Sequence, residues 1–269
     1  MLTEFGYDVK VAYQGSHIYL LLNSEKQLYG KSYFTINDQK YYFLENGKET
    51  PEGLRICDKN FKLAKNSLNP TVNPALEVKD TVMRTFSFRF HNQPYQIPLS
   101  YCLPHIHYFE YYPQMAFSEY NVSEEGAWFD EQLKSSFLPY LKGMETRDKV
   151  QFLLSFVQLA FEYKTDEEQF GRQKWYFPEE ILYYPYSCCH DRAILFAYLV
   201  RKLVGLRVIG LLYPNHICNA VEFKEGTAVN GAVISYDKRK YIICDPTYIG
   251  ADIGMVMPQF EHVNPTVSD

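Results

Sequence analysis

Three residues in the last third of the chain could do chemistry together: Cys189, His216 and Asp245. A thiol, an imidazole and a carboxylate are the parts of nucleophilic catalysis. The thiolate attacks, the imidazole moves the proton, and the acid fixes the imidazole tautomer. Cys189 stands in Ser187-Cys-Cys-His-Asp-Arg-Ala, which reads as the first turn of a helix with Ser187 as its N-cap. Unpaired backbone N–H groups and the positive end of the dipole favour a thiolate there, and the same groups suit an oxyanion. His216 opens a strand. Asp245 closes a later one directly before Pro246, which cannot continue a ladder. Adjacent Cys188 is the rival nucleophile. Helix neighbours lie about 100° apart, so only one of the two thiols faces a given imidazole. The indole of Trp175 could line an oxyanion site or a substrate groove, or simply anchor the fold. His105-Ile-His107 could offer two ligands from one strand face, but nothing else in the sequence supplies partner ligands. No metal and no cofactor is expected. The six cysteines read as mostly free thiols, because they form neither a disulfide scaffold nor paired C-x-x-C motifs.

These groups need elements to hold them. Val150, Leu153, Leu154, Val157 and Phe161 share one helical face, and Phe152, Phe156, Leu159 and Tyr163 make a second stripe. The spacing predicts a mostly buried helix opening at Thr146, with Asp148 in its first turn. Lys164 to Lys174 reads as a polar loop. From Ala193 to Val200 nearly every residue is apolar, and Gly205 is the expected stop, giving a central helix packed all round. Strands follow at Leu206–Tyr213, His216–Phe223, Ala232–Tyr236 and Lys240–Asp245, read as an antiparallel meander. The first hundred residues read as β. Tyr7–Tyr13, His17–Leu22, Tyr33–Ile36 and Lys40–Leu44 come before a linker at Asn69-Pro70 and Asn73-Pro74. The alternation at Thr81–Phe90, returned by Tyr95–Ser100, is a hairpin with one buried face. The expected organisation is a β-rich region over 1–120 and a helix-plus-sheet domain over 121–269.

The start of the chain echoes its end. His17-Ile-Tyr matches His216-Ile-Cys, 199 positions on, and Lys40-Tyr-Tyr-Phe-Leu-Glu45 matches Lys240-Tyr-Ile-Ile-Cys-Asp245, 200 positions on. The expectation is a degenerate first copy of the later sheet, its helix lying upstream, in which case the chain is a fragment of a longer protein.

Composition narrows the partners. The 269 residues carry 27 Lys plus Arg against 32 Asp plus Glu, a net charge of −5, which gives no general electrostatic case for nucleic acid or an anionic membrane. No apolar run approaches the roughly 18 residues of a membrane span, and Ile18–Leu22 is too short for a signal core. No targeting signal is read. The compartment is left open, cytoplasmic by default and exported if the chain is a fragment.

Taken in order, Cys189-His-Asp-Arg-Ala with its apolar helix, Leu206-Arg-Val-Ile-Gly, Asn215-His216-Ile and Cys244-Asp245-Pro-Thr resemble the core of the transglutaminase-like superfamily. The resemblance covers about residues 145 to 250 and looks most like a transglutaminase-like cysteine peptidase of the bacterial type. It implies an α+β fold with a papain-like core: a central helix carrying the cysteine, packed on an antiparallel sheet. It also implies a Cys189 nucleophile, His216 as base and acid, Asp245 as its orienter, and acyl transfer from an amide of a peptide or protein, with hydrolysis favoured. Cys188 and His190 stand where the family often has acidic residues or glycine. An inactive domain serving as a binding or scaffold module is the alternative.

Overall fold

The structure is a computed structural model and describes every residue except 45–52, 58, 60–63, 71–76, 225 and 228. The part of the expected linker at Asn73-Pro74 and the repeat partner Glu45 lie outside the described residues. The fold is α+β, with two five-stranded antiparallel sheets. By backbone contacts the chain divides into two compact units. One is Met1–Thr71 with Tyr112–Ala116; the other is Val72–Tyr111 with Phe117–Asp269. Where the sequence suggested a boundary near residue 120, the hairpin of residues 81–102 groups with the second unit.

The first unit is a sheet of β1 (Val9–Gln14), β2 (His17–Asn23), β3 (Tyr33–Ile36), β4 (Gln39–Phe43) and β5 (Arg55–Ile56), in spatial order β3-β4-β2-β1-β5. The β3–β4 turn is made by Asn37 and Asp38 with φ of 49° and 62°, a left-handed pair that Asn and Asp tolerate and that matches strand twist. Ala12, Leu21, Tyr41 and Phe43 form its core.

The second unit opens with the hairpin β6 (Thr81–Phe90) and β7 (Gln93–Cys102), turned by His91 and Asn92 at φ of 48° and 63°. Phe86, Phe88 and Phe90 are buried while their alternate neighbours are not, as the period of two demands. Helices α1 (Leu103–Glu110), α2 (Phe117–Asn121), α3 (Ala127–Leu141) and α4 (Thr146–Leu159) follow. His105 and His107 therefore sit on a helix, not on a strand face. His105 is buried, its Nδ1 2.8 Å from Oε2 of Glu179. The cap of α4 is Glu145, not Thr146, so the helix begins one position earlier than expected. Phe161 and Tyr163 lie past the helix end, and Leu159 is 42% exposed, so only the first helical stripe and the phenylalanines of the second are core. Next come β8 (Glu162–Tyr163), α5 (Asp166–Phe170), α6 (Glu180–Tyr183), β9 (Tyr186–Ser187) and α7 (Cys189–Leu203). The segment expected as a plain loop thus contains α5. Thr165 and Glu168 form a reciprocal capping box, and Gly171 at φ 65° ends the turn.

Every residue of α7 from His190 to Val200 is buried. Its core is shared with β6, β7, α3 and α4 through Leu195, Phe196, Phe152 and Phe156. Gly205, at φ 73°, takes the left-handed position after the C-cap, and its N–H bonds the Val200 carbonyl. The closing sheet holds β10 (Val208–Tyr213), β11 (His216–Val221), β12 (Val233–Tyr236), β13 (Arg239–Cys244) and β14 (Thr266–Ser268), in order β12-β13-β11-β10-β14. It is not a simple meander: β13 lies between β12 and β11, and β14, unread in the sequence, pairs with β10.

Candidate active site

Cys188, not Ser187, is the N-cap of α7. Asp191 at the third helical position accepts the Cys188 N–H at 2.9 Å through Oδ2, and the Cys188 thiol at 3.2 Å. Asp191 Oδ1 accepts the Tyr176 N–H at 3.1 Å. Ser187 is used elsewhere, its hydroxyl accepting from Nε of Arg192 at 3.1 Å. The cap fixes which sulfur is where. Cys188 is 4% exposed, while Cys189 is the partly exposed one and lines a cavity of about 420 Å³. Tyr163, Trp175, His190, Tyr213 and His216 line the same cavity.

His216 presents Nε2 to Oδ2 of Asp245 at 2.8 Å, both groups being over nine-tenths buried. The second oxygen of Asp245 accepts the N–H of Thr247 at 2.9 Å and of Tyr248 at 3.1 Å, which locks the carboxylate. With Nε2 engaged, Nδ1 is the nitrogen left for Cys189, which lines the same cavity as His216. Phe260 stacks on the imidazole, with ring centres 5.1 Å apart and planes 5° from parallel. Burial opposes a charge on His216, but the bonds to Asp245 and Cys189 outweigh it and raise its pKa to about 9. The Cys189 thiol is pushed far down. A hydrogen bond from the Cys188 thiol contributes most; burial opposes it, and bonds from His190 and His216 add to it. Burial pushes Cys188 up, helped by that bond to Cys189 and by the charges of Asp191 and Asp166. The two neighbours are thus pushed in opposite directions, the more exposed Cys189 towards ionisation and the more buried Cys188 away from it.

The structure places Cys189, His216 and Trp175 on one cavity wall, with Asp245 behind His216; Cys188 borders the same cavity but is the more buried of the two thiols. Trp175 packs against His190 at 4.9 Å between ring centres.

Sequence reasoning missed four supports. Asp166 holds His190, its Oδ2 3.0 Å from Nε2. In the sequence it looks like any acid in a helix first turn. Gln158, on the buried side of α4, donates from Nε2 to the carbonyls of Asp245, Tyr248 and Ala251 at 3.0, 2.9 and 3.1 Å. Arg192 donates to the Gln158 and Phe161 carbonyls at 3.3 and 2.6 Å, so a buried cation is neutralised by the negative end of α4. Phe260 is the fourth. An unusual polar residue inside an apolar helix was the available signal for Gln158 and Arg192.

Asp166, Cys188, His190 and Asp191 offer atoms within 4.8 Å of one another, as do Cys188, Cys189 and His190, close enough to enclose a small cation. In the first group each carboxylate already accepts a backbone N–H, Asp166 from Lys174 at 2.8 Å, and the imidazole proton lies between them. No family model matches the chain, nor does any curated protein or solved structure.

Proposed function

We propose that the chain is a cysteine-dependent acyl-transfer enzyme with a transglutaminase-like core, acting on amides of peptides or proteins, with hydrolysis as the net reaction. One observation carries the reading. A thiol at the head of a buried helix shares a cavity with an imidazole whose Nε2 is held at 2.8 Å by a locked carboxylate. The Cys189 thiolate adds to the amide carbonyl carbon, and the charge moves to the carbonyl oxygen. Unpaired first-turn N–H groups at a helix head suit that oxygen, and Trp175 walls the cavity that Cys189 lines. As the C–N bond breaks, imidazolium His216 gives its proton to the departing amine, leaving a thioester on Cys189. Water then adds to the thioester, His216 takes its proton, and the C–S bond breaks to release the acid. Water needs no second binding site, which favours hydrolysis over transfer to an amine.

The test is thiol alkylation followed by peptide mapping, run beside turnover of peptide amides. Cys189 labels fast at pH 6, Cys189→Ala abolishes turnover, and Cys188→Ala leaves most of it. Uniformly slow labelling of all six cysteines would favour an inactive scaffold, and loss of turnover in Cys188→Ala alone would move the nucleophile by one residue.

A further inference from the structure

Two imidazoles, not one, flank the nucleophilic sulfur. His216 reaches it from β11 and is held by Asp245. His190 follows it directly on α7 and is only 6% exposed. Its Nε2 lies 3.0 Å from Oδ2 of Asp166 on α5 and 3.4 Å from Oδ1 of Asp191. Trp175 covers its ring at 4.9 Å. One of its ring nitrogens lies within 4.8 Å of the Cys189 sulfur, and the Cys188 sulfur touches the ring at 3.1 Å. The charged and titratable groups facing His190 are therefore Asp166, Asp191, Cys188 and Cys189, with His216 across the sulfur.

The two dyads differ in how freely a proton can leave. Asp245 serves one imidazole with one oxygen and gives the other to backbone N–H groups. His190 has two carboxylates and little access to water, so deprotonating it would strand negative charge in an interior of low dielectric. A proton held that firmly is useless as a shuttle and well suited as a fixed counter-charge.

We propose that His190 is a second catalytic imidazole, a permanent cation clamped by Asp166 and Asp191 that keeps the Cys189 sulfur ionised whether or not His216 carries its proton. This rests on the acyl-transfer reading and deepens it. It separates activation of the thiol, which belongs to His190, from proton delivery, which belongs to His216. During turnover His216 alternates between charged and neutral forms, and the sulfur it faces must leave as thiolate each time the thioester breaks. A cation that does not titrate supports that departure.

The experiment follows the rate of iodoacetamide labelling at Cys189 from pH 5 to 9 by peptide mapping, in the full chain and in His216→Ala, His190→Gln, His190→Lys and Asp166→Asn. The expected result is that His216→Ala loses turnover yet keeps rapid labelling at pH 6, within about threefold of the parent. His190→Gln slows labelling at pH 6 by about tenfold or more, because thiolate content falls tenfold for each unit the inflection moves above the working pH. Asp166→Asn, which leaves the imidazole in place, shifts the inflection the same way by less, and His190→Lys restores labelling by restoring charge. A merely structural role would not be rescued by lysine and would not move a pH inflection. Slow labelling in His216→Ala together with parental labelling in His190→Gln would overturn the proposal. Fast labelling in the parent with no amide turnover would instead sink the acyl-transfer reading and leave the assignment to His190 standing.

Discussion

The two sheets of this chain have the same plan. Order β3-β4-β2-β1-β5 in the first unit becomes β12-β13-β11-β10-β14 in the second, strand for strand. Register agrees as well. Gln14 opposes His17 as Tyr213 opposes His216, Leu21 opposes Phe43 as Ala220 opposes Ile243, and Tyr33 opposes Tyr42 as Val233 opposes Ile242. Both copies use a two-residue left-handed turn, Asn37-Asp38 and Asp237-Lys238. Yet His17, at the position of His216, is exposed. The strand face that meets the α7 core through Val208, Val221 and Cys244 corresponds in the first sheet to Val9 and Leu22, with Val11, Tyr13, Ile18 and Leu44 exposed beside them. A five-stranded scaffold of this kind therefore brings a histidine to the head of its second strand without making a site. Chemistry enters with the helix head, the carboxylate directly after β13, and the 3₁₀ turn Pro258–Phe260 that stacks on the imidazole.

The sharpest way to break that comparison is to remove the histidine from each copy. His216→Ala is expected to lower turnover of a peptide amide by about 10² to 10⁴-fold, the usual range for a general acid and base. His17→Ala is expected to leave turnover within about twofold, since an exposed side chain off such features changes little. Equal losses from both would mean that the first copy contributes to catalysis and that the contrast drawn between them is wrong. Asp245→Asn comes next, with turnover down about 10²-fold or more and labelling of Cys189 less affected, because the amide no longer selects the productive tautomer.

These expectations rest on residues the sequence displays unequally. Cys189, His216 and Asp245 were legible because each stands at an element boundary: a helix head, a strand start, and a strand end before proline. The repeat was legible because strand spacing survives in the 199- and 200-residue offsets even where side chains differ. Sheet order was not. A short turn joins β12 to β13, but nothing local says that β13 will slot beside β11, and β14 has only three residues. The cap moved from Ser187 to Cys188 because Asp191 competes for it through the backbone, an effect a three-residue spacing shows only if cysteine is counted among cap residues. Asp166 and Gln158 act across 24 and 87 residues of sequence, and pairing at such distances leaves no periodic trace.

Gln158 gives a middle-sized effect that tests how the second copy acquired its carboxylate. Its amide satisfies three carbonyls of the segment that follows β13. Gln158→Leu removes the side-chain donor of the Asp245 and Ala251 carbonyls, at about 1–3 kcal/mol each for any that water does not reach, while the Tyr248 carbonyl keeps the Ala251 N–H. The expected outcome is a lower melting temperature and a fall in kcat larger than any rise in KM, with the pH dependence of His216 displaced. Loss of stability with catalytic constants and pH profile intact in the folded fraction would show that the segment holds Asp245 without help.

The smallest expected change comes from the core of the first sheet. Leu21 is fully buried among Ala12, Tyr41 and Phe43, and its register partner in the second sheet is Ala220. Leu21→Ala removes three carbons and leaves a cavity, which costs about 2–5 kcal/mol in a well-packed core. Its twin has alanine there in a cluster with Leu211, where the first sheet has Ala12. The loss therefore falls on the first unit alone. Proteolysis or hydrogen exchange should rise across residues 9–43, while labelling of Cys189 at pH 6 and amide turnover stay within about twofold of the parent. A parallel collapse of Cys189 labelling would mean that the two copies share their stability, and that the first sheet supports the site rather than echoing its plan.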